Sequence, residues 1–198
     1  MQNKLSLFKV NNSYCNFLRE YDYRVTDNRY VTYKSNRPYV GVVFSIDDFC
    51  YFAPLSSPKA KHRTMPNNML DCIKIQNGNY GVVNLNNMIP VNVKDIKLID
   101  LQRPNKDNFD DINILRNQYY WCNKSNNIKK IRKNAKLVYD IKISNNKKHK
   151  KLLNRTCNFK LLEEKCLEWK QMTGFEKEKY NDDYSLGRDY DNSPSMKM

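Results

Sequence analysis

Apolar residues recur along this chain in two rhythms, and the rhythm changes near residue 103. Residues 13–24 place Tyr14, Phe17, Leu18 and Tyr21 at i, i+3, i+4 and i+7. That spacing predicts an amphipathic helix with Ser13 as its N-cap. A polar stretch follows over 25–37. Pro38 then opens YVGVVFSI, an apolar run short enough for a buried strand. Asp47-Asp48 reads as a hairpin turn and FCYFAPL as its return strand, with an irregularity at Pro54 near the end. Residues 60–69 read as a polar loop. LDCIKIQ alternates like a strand, Asn77-Gly78 marks a turn, and YGVVNL, NMIPV and IKLIDL read as further short strands. The first hundred residues therefore predict one helix and a small, mostly antiparallel sheet, closed or nearly so.

Beyond Arg103-Pro104 the period becomes helical. Residues 108–122 place Phe109, Ile112, Leu115, Tyr119 and Cys122 on one face. Residues 127–143 place Ile128, Ile131, Ala135, Val138 and Ile141 roughly on another. A basic loop, SNNKKHKK, spans 144–151. Thr156 reads as the N-cap of a last helix whose stripe is Phe159, Leu162, Cys166 and Trp169. The polar, acidic segment after residue 170 reads as a loosely docked or disordered tail. The expected organisation is one domain over 1–170 and a tail over 171–198. The fold class is α+β, a compact twisted antiparallel β-sheet or partial barrel surrounded by helices.

Charge changes the picture. The formal net charge of +14 is uneven: residues 1–101 carry 13 Lys/Arg against 8 Asp/Glu, 102–170 carry 18 against 7, and 171–198 carry 4 against 6. A basic second half points to a polyanion partner. A genome rich in Lys, Asn and Ile codons would produce the same excess without one. Gly is scarce, at 5, and neither G-x-x-x-x-G-K nor G-x-G-x-x-G occurs, which argues against P-loop and Rossmann chemistry. The six Cys form no C-x-x-C and only two His exist, so no metal and no cofactor are expected. No secretory signal and no membrane-length apolar run is visible, so the expected location is cytoplasmic, with reduced thiols.

Candidate chemistry concentrates in residues 51–63, YFAPLSSPKAKHR. An apolar strand runs into a rigid turn that offers two hydroxyls and then Lys59, Lys61, His62 and Arg63. These groups suit a phosphodiester. RNA brings its own nucleophile, the 2′-hydroxyl, so a protein that cleaves it must align that group, move protons and stabilise charge on phosphorus. Lys59 and Arg37 can balance that charge. Ser57 can hydrogen-bond the reacting oxygens, and Tyr33 can steer the substrate or donate a proton. An ordinary surface turn would present the same S-S-P-K string, and a tyrosine more often packs or stacks on a base. Lys61 and Arg63 read as phosphate tethers. His62 reads either as an acid–base or RNA-contacting group or as a solvated loop histidine. Lys129, Lys130, Arg132, Lys133, Lys136, Lys147, Lys148, Lys150 and Lys151 read as an RNA-backbone surface or as a solvated face. Glu163 and Glu164 are adjacent, so on a helix they diverge by about 100° and cannot share one substrate atom. They read as solvated or salt-bridged.

Four ordered segments carry a family resemblance. They are Tyr33…Arg37-Pro38-Tyr39-Val40-Gly41, then Phe52-Ala53-Pro54-Leu55-Ser56-Ser57-Pro58-Lys59, then Gly81-Val82-Val83-Asn84…Met88-Ile89-Pro90, and finally Thr156-Cys157-Asn158-Phe159-Lys160-Leu161-Leu162-Glu163-Glu164-Lys165. Together they resemble the ToxN/AbiQ endoribonucleases of type III toxin–antitoxin and phage abortive-infection systems. The resemblance covers roughly residues 5–168. It implies a sheet similar to that of the MazF/Kid/CcdB toxins, and metal-independent RNA cleavage to 2′,3′-cyclic phosphate and 5′-hydroxyl ends. It also implies inhibition by a small repeat RNA antitoxin that folds as a pseudoknot, fills the basic groove and is cut from a repeat precursor by the toxin. A head-to-tail protein–RNA ring is compatible with it. By position, Ser57 matches the family's key active-site serine and Ser56 the hydroxyl residue before it. Lys59 matches the lysine after the proline, and Tyr33 the upstream tyrosine. Arg37 falls where a relative has lysine, which keeps the charge but alters proton transfer. The alternative reading is a non-catalytic basic RNA-binding module, and a third is a protein-interaction subunit whose charge is incidental.

Overall fold

The computed structural model describes residues 4–27, 37–102 and 109–181, with side chains from 112 onward in the last stretch. Tyr33, Arg103-Pro104 and the tail from 182 lie outside the described residues. The strands are β1 (Ser6–Val10), β2 (Pro38–Ile46), β3 (Phe49–Ser56), β4 (Cys72–Lys74), β5 (Val82–Asn84), β6 (Ile89–Pro90) and β7 (Ile96–Leu98). The helices are α1 (Asn12–Tyr21), α2 (Ala60–Thr64), α3 (Phe109–Cys122), α4 (Ser125–Ile143), α5 (Lys150–Arg155), α6 (Phe159–Gln171) and α7 (Gly174–Glu178).

All strand pairs are antiparallel, in the order β4-β5-β3-β2-β1-β7, with β6 also on β3. The path ends at β4 and β7. Among the described residues the closure expected from sequence is therefore not realised: both end strands have three residues and do not pair with each other. Strand β3 is the pivot. Between Phe49 and Pro54 it pairs with β2, with a register shift between Val40 and Phe44, while it also pairs first with β6, through Tyr51 and Phe52, and then with β5, through Leu55 and Ser56. The exchange occurs across Ala53-Pro54, where proline has no N–H to give to a ladder. The irregularity expected at Pro54 thus has a purpose: it frees the last residues of β3 to join β5.

The turn between β2 and β3 is two residues long, with Asp47 in the left-handed region at φ 48°. Aspartate tolerates that conformation. The connection from β4 to β5 runs from Ile75 to Gly81, longer than the Asn77-Gly78 turn expected, because Lys74 pairs with Val82. Strand β1 escaped the sequence reading; it buries Leu7 and Val10 between β2 and β7.

Helices α1, α4 and α6 bury the predicted faces, except that Tyr21 at the end of the α1 stripe is exposed, and the caps of α1 and α6 differ from those expected. Helix α1 buries Tyr14, Cys15, Phe17 and Leu18, but its N-cap is Asn11, whose Oδ1 accepts from Ser13 N at 2.9 Å. Helix α6 buries Phe159, Leu162, Cys166 and Trp169, but its N-cap is Asn158. Thr156 is wholly buried and donates to Leu152 O at 2.7 Å, closing the end of α5 instead. Of the basic loop expected over 144–151, only 144–146 connect as a turn; Lys147–His149 are a 3-10 turn and Lys150–Arg155 are α5. The start of the expected tail is docked: Thr173 and Glu176 form a capping box, and Tyr180 is buried against Phe17 and Trp169. None of the six cysteines is in a disulfide. Among the described residues, no helix is long and apolar enough to cross a membrane.

Glu163 is buried, not solvated. Tyr51 Oη on β3 and Tyr139 Oη on α4 donate to its Oε1 at 2.8 and 2.7 Å, and Lys160 Nζ donates to Oε2 at 2.8 Å. A buried carboxylate is tolerable only when so satisfied. It ties sheet and two helices at one point. Removing it strands two phenol donors, so Glu163→Ala should cost about 3 kcal/mol of unfolding free energy and Tyr139→Phe about 1. Urea denaturation checks this; equal, small losses for both would contradict it.

Candidate active site

Strand β3 delivers Ser56 at its last position, half-buried, and Ser57 just beyond it, exposed. Lys59 is extended (φ −139°, ψ 151°) and caps α2, its carbonyl accepting from His62 N at 2.9 Å. The expected polar loop therefore begins as a helical turn. That turn sorts the cluster: Lys59, Lys61 and Arg63 face solvent, and His62 faces inward with 4% exposure. His62 is neither a solvated loop histidine nor exposed for contact with RNA. Burial, then the charges of Lys61 and Lys59, hold its imidazole below the ordinary histidine value.

Ser56 is the anchor. Its Oγ accepts from Asn84 Nδ2 at 2.8 Å and from Arg37 Nη1 at 3.3 Å. Arg37 Nη1 also approaches Leu55 O at 3.5 Å. Gln118 Nε2 on α3 donates to Tyr80 O at 2.7 Å and to Ser56 O at 3.4 Å. Strand, neighbouring strand, loop and helix all converge on one residue.

Two glycines allow the β4–β5 connection to lie against this turn. Gly81 has φ +90°, and a Cβ there would stand 1.8 Å from Ser56 O. Gly78 has φ +91°, and a Cβ would stand 2.4 Å from His62 O. Any other residue would push the loop off the Ser56-Ser57 backbone at Gly81, or off the His62-Arg63 backbone at Gly78, and would be strained besides.

Of the predicted catalytic set, Arg37, Ser56, Ser57 and Lys59 lie on one turn and its hydrogen-bond partner, while Tyr33 lies outside the described residues. The basic residues sort by helix face. On α4, Ile128, Ile131, Asn134, Ala135, Val138, Tyr139 and Ile141 are buried. Lys129, Lys130, Lys133 and Lys136 are exposed on the opposite side, Arg132 is half-buried, and Lys136 pairs with Asp140 at 2.7 Å. Lys147, Lys148, Lys150 and Lys151 are exposed.

Asn84 and Gln118 escaped the sequence reading as site residues. Gln118 falls three residues after Leu115 and four before Cys122, on the face already assigned to the core. A polar residue there was a readable signal. Asn84 closes the Gly81-Val82-Val83-Asn84 segment, which carried resemblance but no role.

The geometry has relatives. Residues 6–167 match the family model for the toxin ToxN of type III toxin–antitoxin systems. The chain belongs to the ToxN family. It is 32% identical over 166 residues to the endoribonuclease ToxN of Bacillus thuringiensis subsp. kurstaki, covering 82% of each chain. It is 28% identical to the endoribonuclease ToxN of Pectobacterium atrosepticum, over 81% of this chain and 91% of that one. A bacterial type III toxin, solved in work on selective toxin inhibition by a non-coding RNA pseudoknot, superposes with a TM-score of 0.72 at 29% identity. That match covers 86% of this chain and all of the other. AbiQ, a lactococcal anti-phage endoribonuclease of the same system type, gives 0.69 at 27% identity, over 86% of this chain and all of AbiQ. The chain is thus a relative of AbiQ and not AbiQ itself. Membership makes it an endoribonuclease, and the ToxN fold is the mixed helix and antiparallel sheet described above.

Two expectations test this site. Gly81→Ala should displace the Ser56 carbonyl and lower both the melting temperature and RNA cleavage; an unchanged activity would show that the turn does not need the loop against it. For His62, the folded state favours the neutral ring, so the unfolded chain binds its proton more readily. Stability is then full above the ordinary value of about 6.5 and falls as pH drops below it. The urea midpoint of the wild type should fall with acidification more steeply than that of His62→Gln; identical slopes would contradict the assignment.

Proposed function

We propose that this ToxN-family protein cleaves RNA without a metal ion, by in-line attack of the substrate's own 2′-hydroxyl on the adjacent phosphorus. The P–O5′ bond breaks, leaving a 2′,3′-cyclic phosphate and a 5′-hydroxyl. The observation that carries this is the pairing of an exposed Ser57 with a Ser56 fixed by three side chains, followed at once by exposed Lys59. Such a site is preorganised before substrate arrives, which is where electrostatic catalysis gains most.

The roles follow from chemistry. Ser57 Oγ hydrogen-bonds the reacting phosphate oxygens. Lys59 sets a mobile cation beside the phosphorus as negative charge grows there. Arg37 contributes charge and rigidity rather than a proton, since its guanidinium stays protonated. Tyr33 and Lys59 are the members of the set able to exchange protons with the 2′-hydroxyl and the leaving oxygen. Lys61 and Arg63 tether neighbouring phosphates, and the exposed lysines of α4, the 147–149 turn and α5 extend that surface. Contacts of this kind bind any RNA backbone and weaken steeply with salt.

In this reading the protein acts in the cytoplasm, where a small repeat RNA antitoxin with a pseudoknot fold covers the basic surface and the cleavage turn. The same site produces that RNA from its repeat precursor. The relative solved in work on selective toxin inhibition by a non-coding RNA pseudoknot supports this partner.

Purified wild-type protein should cut RNA undiminished in EDTA. Ser57→Ala should lose cleavage by a factor on the order of 10² or more while still shifting RNA on a native gel. Undiminished cleavage by folded Ser57→Ala would place the chemistry elsewhere. A wild type that binds but never cuts would favour the non-catalytic RNA-binding module.

A further inference from the structure

A hydroxyl has one proton to give and two lone pairs to fill. At Ser56 both lone pairs are filled from the protein side, by Asn84 Nδ2 at 2.8 Å and Arg37 Nη1 at 3.3 Å. Ser56 is half-buried, not sealed in the core, so its hydroxyl proton is the one hydrogen-bonding capacity left for a ligand.

The direction of the Asn84 amide is itself set. Cys72 Sγ donates to Asn84 Oδ1 at 3.5 Å, and Asn84 Nδ2 also approaches Pro54 O at 3.5 Å. Reversing the amide would face two oxygens at Pro54 and lose the thiol's acceptor. Burial, then the nearby Asp71 carboxylate, push the Cys72 thiol up to about 11, so at neutral pH it keeps the hydrogen it donates. A chain of donors therefore runs one way: thiol to amide, amide to hydroxyl, hydroxyl to whatever binds the turn.

We infer that Asn84, oriented by Cys72, is a positioning residue that makes the Ser56 hydroxyl an obligate hydrogen-bond donor to the scissile phosphate. This rests on the Ser56–Ser57 turn being the cleavage site. The hydroxyl transfers no proton. It donates to a non-bridging oxygen whose charge grows as phosphorus becomes five-coordinate, so its contribution is larger in the transition state than in the bound substrate.

The test reverses the chain. In Asn84→Asp a carboxylate faces Ser56 Oγ and takes its proton inward. Steady-state kinetics on an RNA oligonucleotide with one cleavage site should show kcat down on the order of 10² near neutral pH, with KM within about threefold, since uniform binding is untouched. As pH falls through the carboxylate range the deficit relative to wild type should shrink, because a protonated Asp can donate again. Adding Asn84→Asp to Ser56→Ala should cost nothing further, as expected of groups acting through one another. Asn84→Ala, which leaves the hydroxyl free to rotate, should lose less than Asn84→Asp and show no acid recovery. If Asn84→Asp does not fold, Asn84→Ala decides: a kcat equal to wild type overturns the inference. So does an Asn84→Asp pH profile parallel to wild type, or losses that add to those of Ser56→Ala. Ser57→Ala is assayed alongside. If it remains fully active, the reading of the turn as the cleavage site has failed; if it is dead while Asn84→Asp matches wild type, only the role of Asn84 has.

Discussion

Strand β3 is held at both ends by side chains distant in sequence, and the rest of the structure depends on that. Near its start, Tyr51 donates to Glu163, which also gathers Tyr139 and Lys160. At its end, Ser56 is held by Asn84, Arg37 and Gln118. Between them Ala53-Pro54 lets the strand exchange β6 for β5. A strand so fixed cannot slide, because a one-residue slip would turn every side chain to the other face and strand each of these polar groups. The turn that follows inherits the fixed position. Positioning at this level is what in-line attack demands, since small displacements of reacting groups cost large factors in rate.

The buried carboxylates extend the same logic to the helices. Asp71, before β4, takes a two-pronged bond from Arg155 at the end of α5, at 2.6 and 2.7 Å. Asp22, after α1, accepts from Arg24 and from Asn158 N at the start of α6. Burial pushes the Asp22 carboxyl up, but hydrogen bonds from Arg24 and Asn158 outweigh it and hold it below the ordinary value. The basic second half of the chain therefore divides its cations. Arg155 and Lys160 build the fold by pairing with buried acids, while the lysines on the outer side of α4 and α5 remain at the surface. Net charge alone does not distinguish the two uses.

Much of this was legible in the residues. The apolar stripes of α1, α4 and α6 predicted the buried faces, since helical spacing and burial are the same physical fact. The hairpin through Asp47-Asp48 and the exit of β3 at Ser56 were read for the same reason. Caps were misread because a cap is one hydrogen bond: Asn11 and Asn158 each stand near a Ser or Thr equally able to serve, and only tertiary contacts choose. The His62 side chain was misplaced because five residues of helix carry too little periodicity to reveal an inward face. Glu163 is salt-bridged to Lys160, as one of its two readings had it, but its burial escaped because a buried acid is licensed by partners 24 and 112 residues away. Gln118 and Asn84 were missed for a related reason. Their role is to hold backbone and hydroxyl groups of another segment: the polar Gln118 on an apolar face signals a buried partner, but no local pattern names that partner.

The central claim is that the fixed turn aligns the RNA's own 2′-hydroxyl for attack. The direct measurement uses a substrate with a single 2′-deoxy nucleotide on the 5′ side of the cleaved bond, with mass spectrometry of the products. The account predicts no cut at that bond in the deoxy substrate, and fragments of the all-ribose substrate ending in 2′,3′-cyclic phosphate and 5′-hydroxyl. Cleavage of the deoxy substrate at the normal rate, or products bearing a 5′-phosphate, would contradict it.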